Sequence, residues 1–401
     1  MSSLLYRAFR WACILWLSIA CGPPSPAAQN QTDAKASAPS STGAPVIPPQ
    51  FESAGPFSEG LAAVQVGADQ GWKWGYIERS GSFAIAPQFD YADSFSEGLA
   101  AVRVGDEKTG QWGFIDRTGK YAIPAKWDYA TPFSRGLAIV RSGNVVTGKE
   151  QVIDKQGKYV SDLKAGVVLP CGNGMTLVGI NVSWVEGGVN RRFGFVDKAG
   201  NFVIKPAFDD AFCFTEGMAA VRVGDADTGK WGFIDSTGNF VMGPQWGFAY
   251  PFKDGIATVA LAGSGKKKWG AIDETGQEII PMQYPEPLRF CDGLALVSKT
   301  SYQWVTDDVG RTRIHADTNY SFVDKRGLSA IGSQWRSALS FSQGLAPVMV
   351  GEPPGGKWGY IDATGRFLVN PQFVDARPFS EGMAAVLIRN NQADRWGYIS
   401  R

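Results

Sequence analysis

The chain has 401 residues, and its 39 lysines and arginines nearly balance its 38 aspartates and glutamates. This balance supplies no basic surface of the kind that binds the phosphates of nucleic acid. The 49 glycines together with 44% hydrophobic residues are typical of many short strands joined by tight turns, and they exclude a disordered chain.

Residues 1–20 are predicted to form a signal peptide. Arg7 and Arg10 precede an apolar run from Trp11 to Ala20, which is too short to cross a bilayer as a stop-transfer helix. Residues 17–21, LSIAC, resemble the lipobox of bacterial lipoproteins. The resemblance implies cleavage before Cys21 and diacylation of its sulfur, with simple secretion as the alternative.

Residues 21–45 are predicted to form a disordered tether. The segment is rich in proline, alanine and serine, and after Cys21 it has no aromatic or β-branched aliphatic side chain with which to build a core. Such a coil lifts the domain of residues 46–401 clear of a membrane surface.

Residues 46–401 contain nine copies of one unit. FSEGLAAV occurs at residue 57 and again at residue 95, and degenerate copies follow. The copies start at Phe57, Phe95, Phe133, Cys171, Phe214, Phe252, Phe290, Phe341 and Phe379. Six of the eight spacings are 38 residues and the others are 43 and 51, so the sequence predicts a repeat architecture.

A second motif, WGYID or a close variant, keeps the same phase. Its first residue is aromatic in seven units: Trp74, Trp112, Phe193, Trp231, Trp269, Trp358 and Trp396. We expect these aromatics to form the repeat core, with ligand stacking as the alternative. The glycine after each one is expected to clear space for a neighbouring backbone or side chain.

Each unit is predicted to have three strands. In residues 95–132, LAAVRV and WGFID form a β-hairpin, and YAIPAKW forms a third strand. Its proline confines this strand to a sheet edge, or lies in the last residues of the strand. The turn before the third strand has a glycine in every complete unit, at a position that requires positive φ. These glycines are Gly81, Gly119, Gly157, Gly200, Gly238, Gly276, Gly327 and Gly365.

The recurring Gly-Leu-Ala, Lys-Trp-Gly-Tyr-Ile-Asp, Thr-Gly and Pro-Gln-Phe elements resemble WG repeats, also called KWG repeats, across residues 46–401. The resemblance implies a bacterial interaction module rather than an enzyme. KWGYIDATGRF at residues 357–367 is also similar to the hairpins of cell-wall-binding repeats, which hold ligands between aromatics of successive hairpins.

The sequence leaves two architectures open for this all-β domain. The first is an open, curved, solenoid-like array of nine three-stranded units, which three strands per unit, nine units and two expanded linkers favour. The second is a closed β-propeller-like ring, in which VIPPQF at residues 46–51 completes the last unit. We expect the open array.

No residue is predicted to be catalytic, to bind a cofactor or to bind a metal. The single histidine, His315, lies in the insertion of residues 301–319, which we interpret as a solvated loop. The carboxylates repeat in phase with the units, which indicates turns and caps rather than one matched acid–base pair. Cys171 and Cys213 lie on adjacent units, where strand spacing and an exported location allow a disulfide.

These observations predict a non-catalytic scaffold, anchored to the cell envelope through Cys21, that binds a protein or an envelope glycan. No nucleic-acid partner is expected, and the only membrane contact is the lipid anchor. The alternatives are secretion for location and, for activity, a hydrolase acting on an envelope polymer.

Overall fold

The computed structural model describes residues 43–68, 71–143, 149–160, 165–171, 174–185, 188–197, 201–261, 263, 267–306, 312–352, 355–389 and 393–401. Regular structure in these residues consists of β-strands, which agrees with the predicted all-β class. The described part of the chain contains no helix long and apolar enough to cross a membrane.

The described strands form nine sheets, numbered here in chain order. Sheet 1 contains β2 (Ser53–Ser58), β3 (Leu61–Ala68), β4 (Gly71–Ile77) and β5 (Phe83–Phe89). Sheet 2 contains β6 (Tyr91–Ala92), β7 (Ala100–Val104), β8 (Gln111–Ile115) and β9 (Tyr121–Trp127). Sheet 3 has three described strands, β10 (Tyr129–Ala130), β11 (Leu137–Ser142) and β12 (Lys149–Asp154).

Sheets 4 to 6 follow the same order of strands. Sheet 4 contains β13 (Ala165–Cys171), β14 (Met175–Val185), β15 (Gly188–Val196) and β16 (Phe202–Phe208). Sheet 5 contains β17 (Asp210–Ala211), β18 (Ala219–Val223), β19 (Lys230–Ile234) and β20 (Phe240–Trp246). Sheet 6 contains β21 (Phe248–Ala249), β22 (Ile256–Ala260), β23 (Trp269–Asp273) and β24 (Glu278–Tyr284).

Sheets 7 to 9 complete the described domain. Sheet 7 contains β25 (Phe290–Cys291), β26 (Leu294–Thr306), β27 (Thr312–Val323) and β28 (Ser329–Trp335). Sheet 8 contains β29 (Ser337–Ala338), β30 (Ala346–Val350), β31 (Lys357–Ile361) and β32 (Phe367–Phe373). Sheet 9 contains β33 (Asp375–Ala376), β34 (Met383–Arg389), β35 (Asp394–Ser400) and β1 (Ile47–Phe51).

The chain divides into two compact units. One spans residues 51–267 and 272–278, and includes sheets 1 to 5. The other includes residues 43–50, 268–271 and 279–401, with sheets 7 to 9.

The expectation of an open array is wrong. β1 is the fourth strand of sheet 9 and lies beside β35, with the Val46 amide donating to the Tyr398 carbonyl at 2.8 Å. This pairing covers the strand edge that an open array would leave free at its last unit. β1 thus completes the last sheet, which is the pairing that the alternative, the closed β-propeller-like ring, requires.

The prediction of three strands per unit is also wrong. Between the third strand of one unit and FSEG lies a further short strand, which is only two residues long in most sheets. In sheet 2 this strand is β6, where Tyr91 is paired with Arg103 and Ala92 with Val102. The sequence pattern does not reveal it, because a two-residue strand shows no periodicity.

The two expanded linkers are long hairpins rather than breaks in the pattern. The insertion that contains His315 is the extended hairpin of β26 and β27, in which Gln303 is paired with His315. The solvated-loop interpretation is therefore wrong for its described residues. Sheet 4 accommodates the 43-residue spacing in the same way, through β14 and β15.

Within each compact unit, successive sheets pack face to face. Phe133, at the start of the third repeat, lies 4.7 Å from the ring of Phe114 in sheet 2. Leu99, Trp127 and Ile153 belong to the same buried cluster, so sheets 2 and 3 share one core. Each repeat thus buries its apolar face against the next one.

Candidate functional site

The two ends of each sheet differ in chemistry. In sheet 2, one end has the turn of residues 96–99 and the turn of residues 116–120. The opposite end has the hairpin turn of residues 105–110 and the connection through Asp90. Equivalent turns recur along the chain, so residues at equivalent positions of different sheets lie at the same end.

The FSEG turn is a tight hairpin turn with two left-handed residues. Glu97 has φ 54° and Gly98 has φ 85°. Ser96 and Leu99 exchange hydrogen bonds, at 2.9 Å from the Ser96 amide and 3.2 Å from the Leu99 amide. These values are typical of a type I′ turn.

Hydrogen bonds connect several FSEG turns to the next one along the chain. The Glu97 carboxylate accepts from the Gly136 amide at 2.8 Å, and the Ser96 hydroxyl donates to the Phe133 carbonyl at 2.7 Å. Equivalent side chains accept from the next glycine amide at 2.7–3.0 Å: Glu59 from Gly98, Glu216 from Gly255, Asp292 from Gly344, and Gln343 from Gly382. These side chains therefore hold turns.

In sheet 2 an aspartate closes the turn before the fourth strand. Asp116 Oδ1 accepts from the amides of Thr118 and Lys120 and from the Thr118 hydroxyl, at 2.8, 3.2 and 2.6 Å. The hydrogen bond from the Thr118 hydroxyl holds the pKa of Asp116 below its ordinary value. Positive φ occurs at Gly81, Gly119, Gly157, Gly238, Gly276, Gly327 and Gly365, whereas Gly200 lies outside the described residues.

The aromatic residues of the WG motif lie in the cores of their sheets. Trp112, Phe193, Trp231, Trp269, Trp358 and Trp396 are buried, and Trp74 is half-buried. A Cβ on the adjacent Gly113 would lie 2.6 Å from the Ala125 amide nitrogen. The glycine thus lets the fourth strand approach, as the motif predicts.

At the opposite end, aromatic side chains run across sheets 1 to 3. We call Trp74, Tyr91, Trp112 and Tyr129 the aromatic row. Successive ring centroids are 5.9, 5.3 and 5.9 Å apart. The row is accessible at its tyrosines, since Tyr91 is 38% exposed and Tyr129 is 36% exposed.

Trp72 extends this surface beyond Trp74. It lies two residues earlier on β4, so its side chain is on the same face of the strand. It is 53% exposed and packs over Gly67, where a Cβ would lie 3.1 Å from the indole ring. An exposed tryptophan beside the aromatic row therefore offers a free ring face at the edge of sheet 1.

Two arginines lie over the tyrosines of the row. The Arg103 guanidinium carbon is 6.0 Å from the centre of the Tyr91 ring, and that of Arg141 is 5.0 Å from the Tyr129 ring. Arg103 is also paired across the strands with Trp112. Its Nε is buried and has no hydrogen-bond partner in the structure. The row thus combines aromatic faces with positive charge.

Asp93 lies beside the row on the same segment as Tyr91. Burial raises its pKa to about 6, and a hydrogen bond with the Tyr91 side chain lowers it in part. The Asp93 backbone carbonyl accepts from the Tyr76 hydroxyl at 2.7 Å. Its carboxyl therefore gains charge near neutral pH rather than near pH 4.

A second aromatic cluster occurs in sheets 5 and 6 but is more closed. The centroid of the Trp231 ring lies 5.3 Å from that of Phe212 and 4.9 Å from that of Phe248. Arg222 is only 7% exposed, and its Nη1 donates to the Gly224 carbonyl at 3.0 Å. Because its cation is already engaged by the backbone, this cluster is a weaker candidate for ligand binding.

Of the residues considered for covalent or metal chemistry, only the cysteine pair has defined geometry. Cys171 and Cys213 form a disulfide with a Cα–Cα distance of 5.0 Å, joining sheets 4 and 5. Cys21 lies outside the described residues, and the side chain of His315 is not described. The described residues contain no group of three histidine, cysteine or acidic side chains able to hold a metal ion.

Sequence reasoning identified the tryptophans but missed the tyrosines and arginines of the surface. The missed residues follow a pattern. Tyr91 and Tyr129 both occur in the sequence Asp-Tyr-Ala, directly after the fourth strand of the preceding sheet. Arg103 and Arg141 both occupy the fifth position of the strand that begins Leu-Ala. A strand that is otherwise apolar and ends in arginine was the available signal.

The sequence matches a family model described as WG containing repeat. The matched segments are residues 40–68, 74–107, 112–145, 193–225, 231–263, 269–301 and 358–391, which together exceed half of the chain. A comparison with curated proteins gives no match.

Solved structures with similar folds are distant. The crystal structure of the tricorn protease is 11% identical, with a TM-score of 0.34 over 84% of this chain and 41% of that one. The β-propeller domain of the Trilobed protease from Pyrococcus furiosus is 8% identical, with a TM-score of 0.34 over 67% of this chain and 92% of the domain. Kluyveromyces lactis Hsv2p is 9% identical, with a TM-score of 0.36 over 67% of this chain and 97% of that one. The chain thus spans less than half the length of the tricorn protease.

Proposed function

The chain belongs to the WG-containing-repeat family, and from this premise we propose that it is a non-catalytic scaffold that binds a glycan at one end of sheets 1 to 3. The observation that carries the proposal is the exposed aromatic surface of Trp72, Tyr91 and Tyr129 beside Arg103 and Arg141. A sugar ring presents an apolar C–H face to an aromatic ring and hydroxyl groups to arginine donors.

Packing of the row supports binding without rearrangement. The Trp112 ring is buried between Tyr91 and Tyr129, at 5.3 and 5.9 Å, so the two tyrosines are held by a core residue. A preformed site loses less conformational entropy when its ligand arrives. Several weak contacts along the row would then add up for a polymer, as in multivalent binding.

The use of the repeated carboxylates supports a non-catalytic role. A glycosidase needs one acid and one base or nucleophile in different environments. Here Glu59 and Glu97 accept from glycine amides of the next turn, and Asp116 closes its own turn. We therefore prefer binding to hydrolysis of an envelope polymer.

The proposal places the scaffold in the cell envelope, held by a lipid on Cys21, because residues 17–21 resemble a lipobox. Labelling with a fatty-acid analogue tests this part directly. Label that enters the wild type but not Cys21→Ala supports the anchor. An unlabelled wild type would replace it with simple secretion.

The glycan proposal is tested with the full chain on an array of envelope and plant polysaccharides. Trp72→Ala and Tyr91→Ala should each weaken binding about tenfold, since each removes one stacking face. Tyr302→Ala is the matched control, because Tyr302 is 69% exposed on the hairpin of sheet 7 and lies outside the row.

Three results would contradict the proposal. Equal loss in Tyr302→Ala would show that the row is not the site. Release of shortened sugars from a bound polymer would support the hydrolase. Capture of an envelope protein in place of any glycan, with sensitivity to Trp72→Ala, would make the partner a protein.

A further inference from the structure

Arg103 forms no ion pair with a carboxylate of the described residues. Its side chain is half-buried between the Tyr91 ring and the strand that contains Trp112. The guanidinium carbon lies 6.0 Å from the centre of the Tyr91 ring, and Nε is buried. A ligand would therefore bind to the two terminal nitrogens of the guanidinium.

The carboxylates near Arg103 are engaged elsewhere. Asp90 accepts from Lys73 Nζ at 2.6 Å and from the Gly105 amide at 2.8 Å. Asp106 accepts from the amides of Lys108 and Thr109, at 2.7 and 2.9 Å. Neither one forms an ion pair with Arg103, although both lie close enough to feel its charge.

The arrangement repeats one sheet further on. Arg141 lies over Tyr129 as Arg103 lies over Tyr91, and Asp128 accepts from the Gly143 amide at 2.6 Å as Asp90 accepts from Gly105. The row therefore presents two guanidinium groups in register with two exposed tyrosines.

We infer that the ligand is an acidic polysaccharide whose carboxylate-bearing sugars stack on Tyr91 and Tyr129 and place a carboxylate on Arg103. This inference rests on the proposed function and names its ligand class. The planar guanidinium donates two parallel hydrogen bonds to one carboxylate, which a lysine ammonium cannot do. The neighbouring Tyr91 ring limits the positions that the guanidinium can take before the ligand arrives.

The experiment compares a polyuronate with a neutral glucan of the same chain length, by calorimetric titration of the full chain. We expect the wild type to bind the polyuronate at least tenfold more tightly. Arg103→Gln should lose about 10- to 100-fold of the polyuronate affinity, the range for one charged hydrogen-bonded contact. The same variant should lose less affinity for the glucan than for the polyuronate, because only the polyuronate offers a carboxylate to the guanidinium.

Two further variants separate binding from folding. Arg103→Lys should recover less than half of the lost binding free energy, because it restores the charge without the planar fork. Arg326→Gln is the control, since Arg326 is exposed and forms its ion pair within its own turn, with Asp324 at 3.0 Å. A loss of affinity in Arg103→Gln that is larger for the polyuronate than for the glucan reports an intact row.

Each remaining outcome decides the question. Equal affinity for the two polymers overturns the acidic ligand but leaves the glycan scaffold in place. A preference for the polyuronate that Arg103→Gln does not alter overturns the assignment to Arg103. Binding of neither polymer, nor of any glycan on the array, overturns both this inference and the proposed function.

Discussion

Two glycines of the second repeat are needed for different reasons. Gly98 has φ 85° and open space where a Cβ would lie, so only the left-handed backbone requires it. Gly113 has no positive φ, but its Cβ would lie 2.6–2.8 Å from the backbone of residues 123 and 125. One glycine is required by a dihedral angle and the other by a neighbouring strand.

This difference predicts unequal costs for the same substitution. Gly98→Ala should destabilise the domain by about 1 kcal/mol, the cost of a left-handed non-glycine residue. Gly113→Ala should cost about 3 kcal/mol, because the fourth strand must move away from β8. Urea denaturation measures both, and equal midpoints for the two variants would contradict this account.

The raised pKa of Asp93 predicts a stability change with pH. Its folded-state pKa of about 6 lies above the ordinary value of 3.8, so the native chain holds this proton more tightly than the unfolded chain. The contribution to stability is full below pH 3.8 and is lost as pH rises through 6. Asp93→Asn should therefore be about 1–3 kcal/mol more stable than the wild type at pH 8.

The same pair should be equally stable at pH 3.5, where both side chains are neutral. Urea unfolding of the two proteins at both pH values isolates Asp93 from the other carboxylates. A difference between the proteins that is the same at pH 3.5 and pH 8 would show that Asp93 is not buried as described.

Neighbouring sheets are connected by a repeated hydrogen bond, from the glycine amide of one FSEG turn to the side chain of the turn before it. Glu97 reaches the Gly136 amide, and the equivalent Gln343 reaches the Gly382 amide with its neutral Oε1 at the same 2.8 Å. The connection therefore needs an acceptor rather than a charge.

This equivalence predicts that Glu97→Gln is nearly neutral, whereas Glu97→Ala costs about 1 kcal/mol through the unsatisfied Gly136 amide. The ion pair with Lys155, at 3.2 Å, is partly exposed and adds little. Chemical denaturation gives both values. A cost for Glu97→Gln as large as that for Glu97→Ala would assign the effect to charge.

The sequence predicted some elements well because their signals are local. Phe57 and its equivalents gave the period, and Gly119 gave the turn, since a fixed glycine marks one dihedral requirement. β6 is two residues long and was not predicted, because Tyr91 and Ala92 carry no pattern of their own. The partnership of Tyr91 with Arg103 depends on that strand and was missed with it.

At the scale of the whole molecule, the sequence allowed both open and closed arrangements. VIPPQF resembles every other fourth strand, so its partner depends on a pairing between residues about 350 positions apart. No local signal decides such a pairing. The structure decides it through β1 and β35, with Ile47 and Pro49 against Gly397.

This closure predicts where damage appears when β1 is removed. Deletion of residues 46–51 should expose β35, and amide hydrogen exchange should lose protection first at residues 394–400. Protection within sheet 2 serves as the internal reference. Loss confined to residues 57–90 would instead indicate that β1 belongs with the first repeat.

Because β1 completes sheet 9, the last sheet is formed by strands from both ends of the domain. In sheet 2 the third strand leads to the fourth through the five residues Asp116–Lys120, and β35 and β1 are neighbours with the same strand order. A linker of that length between Ser400 and Val46 would turn the seam into one more turn. A circularly permuted chain could then begin at the equivalent turn of another sheet, and the tether would be attached to that sheet.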